Sequence, residues 1–196
     1  MIWKSLGLAI LAAFYGCYFV KMAVQRRKGI VTDQIGKGKT GFVKGIESAL
    51  KVVTYLVPIV EVASILLGTT AFPGSIRMLG AVIGAVGVVI FAVSMATMRD
   101  SWRAGVSQTD KTELVTRGIY QFSRNPAFLG FDLVYVGILL MFFNWLLLAA
   151  SALAMLMLHL QIVNVEEDHL IAAFGESYLT YQKQVYRYFG RRRQGK

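Results

Sequence analysis

Cysteine and charged residues are scarce in this sequence, and each shortage excludes a class of protein. The one cysteine, Cys17, leaves no pair for an intrachain disulfide and no metal site built from cysteine thiolates. Charged residues make up 16% of the chain, whereas soluble domains carry roughly 25%. Hydrophobic residues make up 56%, and they occur in long blocks rather than at amphipathic spacing. Such blocks are typical of membrane-spanning segments.

Five apolar blocks predict an all-α, polytopic membrane fold with about five transmembrane helices. The blocks extend from about residues 2 to 24, 46 to 67, 76 to 98, 127 to 143 and 146 to 165. The first block is longer than the apolar region of a signal peptide and is followed by a basic stop-transfer flank, so we expect it to remain in the mature protein. The fourth and fifth blocks are separated only by Asn144 and Trp145 and form a helical hairpin.

Acidic residues are also scarce, with 11 Asp and Glu against 21 Lys and Arg and a net charge of +10. The basic residues flank the apolar blocks, which favours anionic membrane lipids over nucleic acid as the reason for the excess. Five spans place segments 26–45, 99–125 and 166–196 on one side of the membrane. These segments and the adjoining helix edges hold every Lys and Arg except Lys4 and Arg77. The positive-inside rule then predicts an outside N-terminus and a cytosolic C-terminus.

Two acidic residues and a glycine stripe stand out within the predicted spans. Glu61 and Asp132 would lie at membrane depth, where an ionisable group is costly and is a candidate for function. The structural alternative for each is a hydrogen-bonded packing acid. Gly80, Gly84 and Gly87 are four and three residues apart. A small-residue stripe of this kind favours close helix packing rather than a cofactor site.

Several classes of enzyme and transporter lack their motifs here. Glu166, Glu167, Asp168 and His169 are adjacent and point around a helix, so only Glu166 and His169 share a face and we expect no metal site. The G-x-S-x-G motif of hydrolases is absent, and no two related halves suggest a transporter repeat. The glycine-rich connector 26–45 lacks the spacing of a phosphate-binding loop, and we interpret it as a basic loop on an anionic membrane surface.

Two polar segments bracket the predicted hairpin and are candidates for a binding site. The first reads LVTRGIY at 114–120 and SRNP at 123–126; the second reads EEDHL at 166–170 and FGESY at 174–178, followed by Tyr181. Because a hairpin brings its two ends together, these segments should meet at the cytosolic surface. There they would supply backbone N–H groups at a helix N-terminus, a glycine turn, aromatic rings and carboxylates. That set suits a ligand with an adenine, a ribose, a cation and a carboxylate.

The combined pattern resembles the isoprenylcysteine carboxyl methyltransferase family and its phospholipid methyltransferase relatives, over about residues 98–188. Members of that family are integral membrane enzymes that use S-adenosylmethionine. The resemblance implies an S-adenosylmethionine-dependent methyltransferase that acts on a lipophilic acceptor and releases S-adenosylhomocysteine. It also implies a division into N-terminal transmembrane helices, residues 1–98, and a catalytic half, residues 99–196, which binds the cofactor on the cytosolic side.

The resemblance carries over to particular residues of the two polar segments. It implies a cofactor site made of Leu114, Val115, Gly118, Tyr120, Arg124, Asn125, Pro126, Glu166, Glu167, Tyr178 and Tyr181. An amine acceptor would have to lose a proton, for which Glu166 or Asp132 could serve as the base. Arg124 completes the expected catalytic set.

Other side chains are expected to shape this pocket and the start of the fourth helix. Tyr120, Phe128 and Tyr135 are the aromatic residues expected to line a dry pocket around the reacting cation. Proline is favourable in the first turn of a helix, and the helix at residue 126 could be capped by Ser123 or Asn125.

Two departures from the family pattern bear on the substrate. The family often has histidine at the position of Asn125, so a protonated histidine is not part of this site. Its prenylcysteine enzymes tend to carry an arginine shortly before the glutamate pair, whereas residues 160–165 here read LQIVNV. Because arginine is the natural bidentate partner of a carboxylate, a prenylcysteine carboxylate is less favoured as the acceptor.

The acceptor therefore stays open among a prenyl-type carboxylate, a phospholipid amine such as that of phosphatidylethanolamine, and another lipophilic small molecule. A membrane scaffold or lipid-binding protein without catalysis is the alternative from another class, and a transporter is a weaker one. Binding of S-adenosylhomocysteine separates these classes, because a scaffold need not bind it. We expect membrane lipids as partners, and neither nucleic acid nor metal.

Overall fold

The structure, a computed structural model, describes residues 1–37, 39–106 and 113–192. Its helices are α1 Ile2–Arg27, α2 Gly41–Leu67, α3 Gly74–Met98, α4 Pro126–Met141, α5 Trp145–Gln161, α6 Glu167–Phe174 and α7 Glu176–Gln184. A π-helical turn, Ile162–Glu166, joins α5 to α6, and short 3₁₀ helices occupy Arg99–Ser101 and Gly118–Gln121. Within the described ranges, extended backbone occurs only as isolated bridges. The predicted all-α fold is confirmed.

Four helical stretches are long and apolar enough to cross a membrane: Ile2–Arg27, Gly41–Leu67, Gly74–Ser101 and Trp145–Phe174. The fourth predicted span is α4, which has 16 residues and a length of about 24 Å at 1.5 Å per residue. That is less than the roughly 30 Å of a bilayer's hydrocarbon core. The chain is therefore a multi-pass membrane protein with four full-length apolar helices and one shorter apolar helix in the described ranges.

The predicted glycine stripe packs α3 against α4. A Cβ at Gly80 would lie 2.6 Å from the carbonyl oxygen of Gly137, and a Cβ at Gly87 would lie 2.8 Å from that of Gly130. A Cβ at Gly137 would in turn meet the Cα of Gly84 at 2.6 Å. Distances this short leave no room for a side chain, so the packing role predicted for the stripe is confirmed.

An aromatic cluster joins α1, α3 and α4 near the polar end of the bundle. The ring centroids of Phe14 and Phe91 are 4.7 Å apart, those of Phe14 and Phe131 are 4.7 Å apart, and those of Phe91 and Phe131 are 5.1 Å apart. Trp102 packs edge-on to Phe91 at 6.0 Å. This cluster anchors the segment that follows α3, so Trp102 has a fixed position on top of the transmembrane core.

The three polar segments meet at one end of the bundle, as expected for successive antiparallel helices. The amide of Gln34 donates to the carbonyl oxygen of Ala104 at 2.8 Å, which ties the first connector to the second. The amide of Arg124 donates to the carbonyl oxygen of Tyr186 at 3.1 Å, which ties the second segment to the third. Parts of these segments, namely residue 38, residues 107–112 and residues 193–196 of the basic tail, lie outside the described residues.

Candidate functional site

A cavity of about 130 Å³ lies at the polar end, between the segment that precedes α4 and the helices α6 and α7. Most of the residues predicted to bind a cofactor line it: Leu114, Val115, Tyr120, Arg124, Asn125, Glu166, Tyr178 and Tyr181. We call it the polar cavity. Gly118, Pro126 and Glu167, which belong to the same predicted set, are not among its lining residues.

Glu167 lies behind the wall of the polar cavity and binds two arginines, of which Arg124 lines the cavity. Its Oε1 lies 3.0 Å from Nη2 of Arg124, and the two side chains are 5% and 8% exposed. Arg187 binds the same carboxylate through two hydrogen bonds of 2.9 Å, from Nε and Nη2. These bonds raise the pKa of the Arg187 guanidinium. Glu167 is therefore the centre of an ion-pair triad in which Arg124 is buried and the side chain of Arg187 is 32% exposed. The triad fixes Arg124 in place.

Two tyrosines of α7 link that helix to the segment before α4. The hydroxyl of Tyr181 donates to the carbonyl oxygen of Tyr120 at 2.5 Å, and Nη1 of Arg124 donates to the hydroxyl of Tyr178 at 3.1 Å. Burial raises the pKa of both Tyr178 and Tyr181. Both phenols therefore stay protonated and available as donors at neutral pH.

Asn125 is bound to the C-terminal segment and does not cap α4 with its side chain. Its Nδ2 donates to the carbonyl oxygen of Arg187 at 3.1 Å, and its backbone amide donates to the same oxygen at 3.2 Å. Asn125 occupies the N-cap position, yet neither it nor Ser123 makes a side-chain capping bond to α4. The predicted cap is wrong: the side chain of Asn125 donates to Arg187, which is 62 residues away along the chain, and Oγ of Ser123 accepts from the backbone amide of Asn125 at 3.1 Å instead of from an amide of α4.

A second, larger cavity of about 300 Å³ lies between α1, α2, α4 and α5. Its walls are mostly apolar and aromatic, and include Phe14, Tyr15, Leu50, Phe131, Tyr135 and Leu158. We call it the apolar cavity. Of the aromatic residues predicted to line the cofactor pocket, Tyr120 lines the polar cavity, Tyr135 lines the apolar cavity, and Phe128 lines both.

The two cavities adjoin each other. They share the lining residues Trp102, Arg103, Gly105, Ala127, Phe128 and Glu166. Glu166 is half-buried at this junction. Its carboxylate has no hydrogen-bond or ion-pair partner in residues 1–37, 39–106 and 113–192, unlike its neighbour Glu167. A ligand in either cavity would therefore meet the free carboxylate of Glu166.

The two acids predicted at membrane depth lie away from this junction. Asp132 lines neither cavity, and its Oδ1 is buried without a hydrogen-bond partner among the described residues. Glu61 is fully buried in α2 and accepts a hydrogen bond of 3.2 Å from the hydroxyl of Tyr15. The structure therefore brings Glu166 and Arg124 to one cavity and leaves Asp132 outside it.

Several lining residues were not singled out from the sequence. They lie at the end of α3 and in the segment that follows it: Met98, Ser101, Trp102, Arg103, Gly105, Val106 and Glu113. His169, Leu170 and Phe174 of the second polar segment also line the cavity. The tryptophan at position 102, within an otherwise polar stretch, could have indicated that the segment after α3 lines a cavity. In the described part of the chain, no three His, Cys, Asp or Glu side chains are grouped so that they could hold a metal ion.

Comparison with known proteins gives relatives of one kind. The protein-S-isoprenylcysteine O-methyltransferase of Dictyostelium discoideum is 30% identical over 114 residues, which are 57% of this chain and 48% of that protein. The proteins of the same name from Tribolium castaneum and Xenopus laevis are 35% identical over 72 and 78 residues, covering 26% and 27% of their lengths. The matched region thus spans about half or less of these relatives.

The family model described as phospholipid methyltransferase matches residues 75–177. This range is just over half of the chain. It contains all but the first residue of α3, then α4, α5, α6 and the first polar segment, and it includes the second polar segment as far as Ser177. The chain belongs to the phospholipid methyltransferase family.

Proposed function

We propose that this protein is an S-adenosylmethionine-dependent integral membrane methyltransferase that transfers a methyl group to a lipophilic acceptor. The observation that carries the proposal is the junction of two cavities of opposite character at Glu166 and Phe128. One cavity lies among polar segments at the end of the bundle and suits a water-soluble cofactor. The other lies between transmembrane helices and suits an apolar molecule from the bilayer.

The residues of the polar cavity fit S-adenosylmethionine by their chemistry. Tyr120, Phe128 and Phe174 offer aromatic faces to a flat base and to a cation. The carboxylates of Glu113 and Glu166 offer acceptors for hydroxyl and ammonium groups. Arg124 offers a guanidinium whose Nε is buried without a hydrogen-bond partner among the described residues. These groups match the adenine, ribose, sulfonium and carboxylate of the cofactor.

The chain's own residues would position the reactants and accept a proton. When bound, S-adenosylmethionine supplies a methyl group on a positively charged sulfur; its transfer to the acceptor's lone pair breaks the C–S bond and leaves the electron pair on a neutral sulfur. Glu166 would take the proton that an amine or hydroxyl acceptor loses. Trp102 and Phe128 would keep water out of the junction, and fixed aromatic walls would hold the two reactants in line.

The placement of the cavities also supports different roles for the N-terminal and C-terminal halves of the chain. Residues 99–196 would form the catalytic half, with α1 and α2 of the N-terminal part completing the apolar cavity. The basic polar segments lie at the end that holds the polar cavity, which favours a cytosolic active site, a cytosolic C-terminus and an outside N-terminus. A cytosolic cofactor would then enter from water, and the acceptor would enter sideways between helices.

Methyl transfer in sealed membrane vesicles tests activity and orientation together. Vesicles of native cells that overexpress the protein would be given tritium-labelled S-adenosylmethionine, which does not cross the bilayer. We expect label in the organic extract of inside-out vesicles and little in that of right-side-out vesicles, with vesicles of cells that carry the empty expression vector as the background control. Label from right-side-out vesicles alone would reverse the orientation. A signal no higher than the control in both, even after permeabilisation, would contradict the transferase and favour a scaffold.

A further inference from the structure

Arg77, the fourth residue of α3, is a cation that this chain leaves without a counter-ion. Within residues 1–37, 39–106 and 113–192, its guanidinium has no ion-pair or hydrogen-bond partner. Its Nε is buried, but the residue as a whole is only half-buried, so the two Nη atoms hold the donors that a ligand can reach. Most of the N–H donors of a guanidinium are on these two atoms.

Two aromatic rings fix the orientation of this guanidinium. Its Cζ lies 4.9 Å from the ring centroid of Trp3 on α1 and 5.2 Å from that of Phe142, and Phe142 is fully buried. Such cation–π contacts use the faces of the guanidinium, whereas its N–H groups point outward in its plane. The contacts therefore hold Arg77 in place and leave its N–H edge for an anion.

Arg77 lies at the end of the bundle opposite the polar cavity, beside the turn between α2 and α3 and the turn between α4 and α5. Nδ2 of Asn144 donates to Oγ of Ser64 at 2.9 Å and to Oγ1 of Thr69 at 3.0 Å, which ties the two turns together. Trp145, the first residue of α5, is 77% exposed. Exposed tryptophan is typical of the level of the lipid head groups. This end of the bundle therefore lies where lipid phosphates are found.

The helix α3 extends beyond the end of α4 at this point. Arg77 contacts Phe142, the residue that follows α4. The turn of α3 from Gly74 to Arg77, about 4.5 Å long at 1.5 Å per residue, therefore lies past the end of α4. The guanidinium is at the base of this step, where α4 no longer covers α3, and a head group at the step would meet it.

No acidic residue balances the positive charge at this end. Residues 1–8, 62–80 and 138–150, which form it, contain neither Asp nor Glu. Lys4 adds a second cation, whose Nζ donates to an uncharged backbone carbonyl oxygen at 2.5 Å. A cation in the first turn of a helix, such as Arg77 in α3, is also disfavoured by the helix dipole. The charge of Arg77 is therefore best stabilised by an anion from outside the chain.

We propose that Arg77 binds the phosphate of an anionic phospholipid in the leaflet opposite the polar cavity. Phosphate matches the planar N–H fork of a guanidinium in a bidentate pair. A lipid with a net negative charge neutralises Arg77, whereas a zwitterionic lipid brings a cation of its own. Because this site lies at the far end of the bundle, the lipid is a structural partner and not the methyl acceptor. The inference goes beyond the proposed function and is independent of it.

Quenching of Trp3 fluorescence by brominated lipids tests the site directly, because Arg77 lies over the ring of Trp3. In a Trp102→Phe, Trp145→Phe background, Trp3 is the one tryptophan left. Nanodiscs of phosphatidylcholine would contain a small fraction of phosphatidylglycerol, or of phosphatidylcholine, that is brominated on the acyl chains close to the head group. The measured quantity is the relative binding constant of these two lipids, from the quenching of Trp3 at equal mole fractions.

We expect phosphatidylglycerol to bind about fivefold more tightly than phosphatidylcholine, which is the effect of about 1 kcal/mol for one cation at an anionic lipid. Arg77→Gln should abolish this preference. Arg77→Lys, which keeps the charge but not the planar fork, should reduce it to about twofold. Lys183→Gln is the matched control and should change nothing, because Lys183 is an exposed cation on α7, at the polar end.

The inference would be overturned by equal binding of the two lipids in the Trp3 background, or by an undiminished preference in Arg77→Gln. An equal loss in Arg77→Gln and Lys183→Gln would also overturn it, because the preference would then reflect general attraction to membrane charge. Circular dichroism checks the folding of each variant, and if Arg77→Gln does not fold, the comparison of Arg77→Lys with Lys183→Gln decides.

Glycerol phosphate added in water distinguishes the two sources of a phosphate group. The preference for phosphatidylglycerol should persist at millimolar glycerol phosphate, because the site lies at the level of the head groups and takes the lipid. Loss of the preference would assign the site to a soluble phosphate ester and contradict the lipid assignment.

Discussion

The Glu166→Gln variant is expected to lose methyl transfer by about 10²- to 10⁴-fold, the usual contribution of a positioned general base. The amide keeps the size and hydrogen-bonding capacity of the carboxylate, but it cannot take a proton from an amine or hydroxyl acceptor. Binding of S-adenosylhomocysteine should stay within about threefold, because the polar cavity keeps its shape. The measurement is the initial rate of label transfer in the vesicle assay, beside a titration of S-adenosylhomocysteine.

Asp132→Asn gives the informative comparison, because Asp132 was the other candidate base. The structure places Asp132 outside both cavities, so this variant should lower the rate much less than Glu166→Gln does. A larger loss with Asp132→Asn than with Glu166→Gln would show that the base has been assigned to the wrong carboxylate. If both variants keep the wild-type rate, the acceptor needs no base. This is the case for a carboxylate or a thiolate acceptor, which has no proton to lose.

Replacing Glu167 by leucine is expected to lower the free energy of unfolding by about 3–5 kcal/mol, because it leaves a buried cation without its counter-ion. Arg124 and Arg187 both bind this carboxylate, and Arg124 is 5% exposed. The measurement is loss of helical circular dichroism as the mole fraction of dodecyl sulfate in mixed micelles is raised. Arg124 would no longer be held in the wall of the polar cavity, so binding of S-adenosylhomocysteine should weaken as well.

Asp100→Asn is the control for that prediction. Asp100 pairs with Lys28 at 2.7 Å, but both side chains are about half exposed. Exposed pairs typically contribute about 0–1 kcal/mol, so this variant should barely shift the unfolding curve. Similar shifts for Glu167→Leu and Asp100→Asn would show that the triad around Glu167 is not the stabilising feature that its burial indicates.

The helices and their packing could be predicted from the sequence because both depend on local patterns. Long apolar blocks fix the spans within a few residues, and the spacing of Gly80, Gly84 and Gly87 fixes the face of α3 that contacts α4. The two motif segments that enclose the polar cavity were also recognisable, because their residue types have the same order and spacing as in the family that the sequence resembles. Most of the residues expected to bind a cofactor accordingly line one cavity.

The features that escaped prediction depend on partners far apart in the chain. Glu167 binds Arg124 and Arg187 instead of lining the cavity, and nothing local distinguishes it from Glu166. The π-helical turn after Gln161 has no periodic signature in an apolar stretch, since such a turn shifts the helical pattern by a single residue. The pairing of Gln161 with Glu47 spans 114 residues and becomes visible only when α2 and α5 pack together.

The most direct measurement is a calorimetric titration of S-adenosylhomocysteine into the purified protein in detergent, for the wild type and for Glu166→Ala. Glu176→Ala serves as the control, because Glu176 is exposed on α7 and lines neither cavity. We expect saturable binding at one site, weakened by about tenfold or more in Glu166→Ala and unchanged in Glu176→Ala. A folded, monodisperse wild type that takes up no S-adenosylhomocysteine, with or without dodecylamine present, would contradict the assignment of the polar cavity to the cofactor.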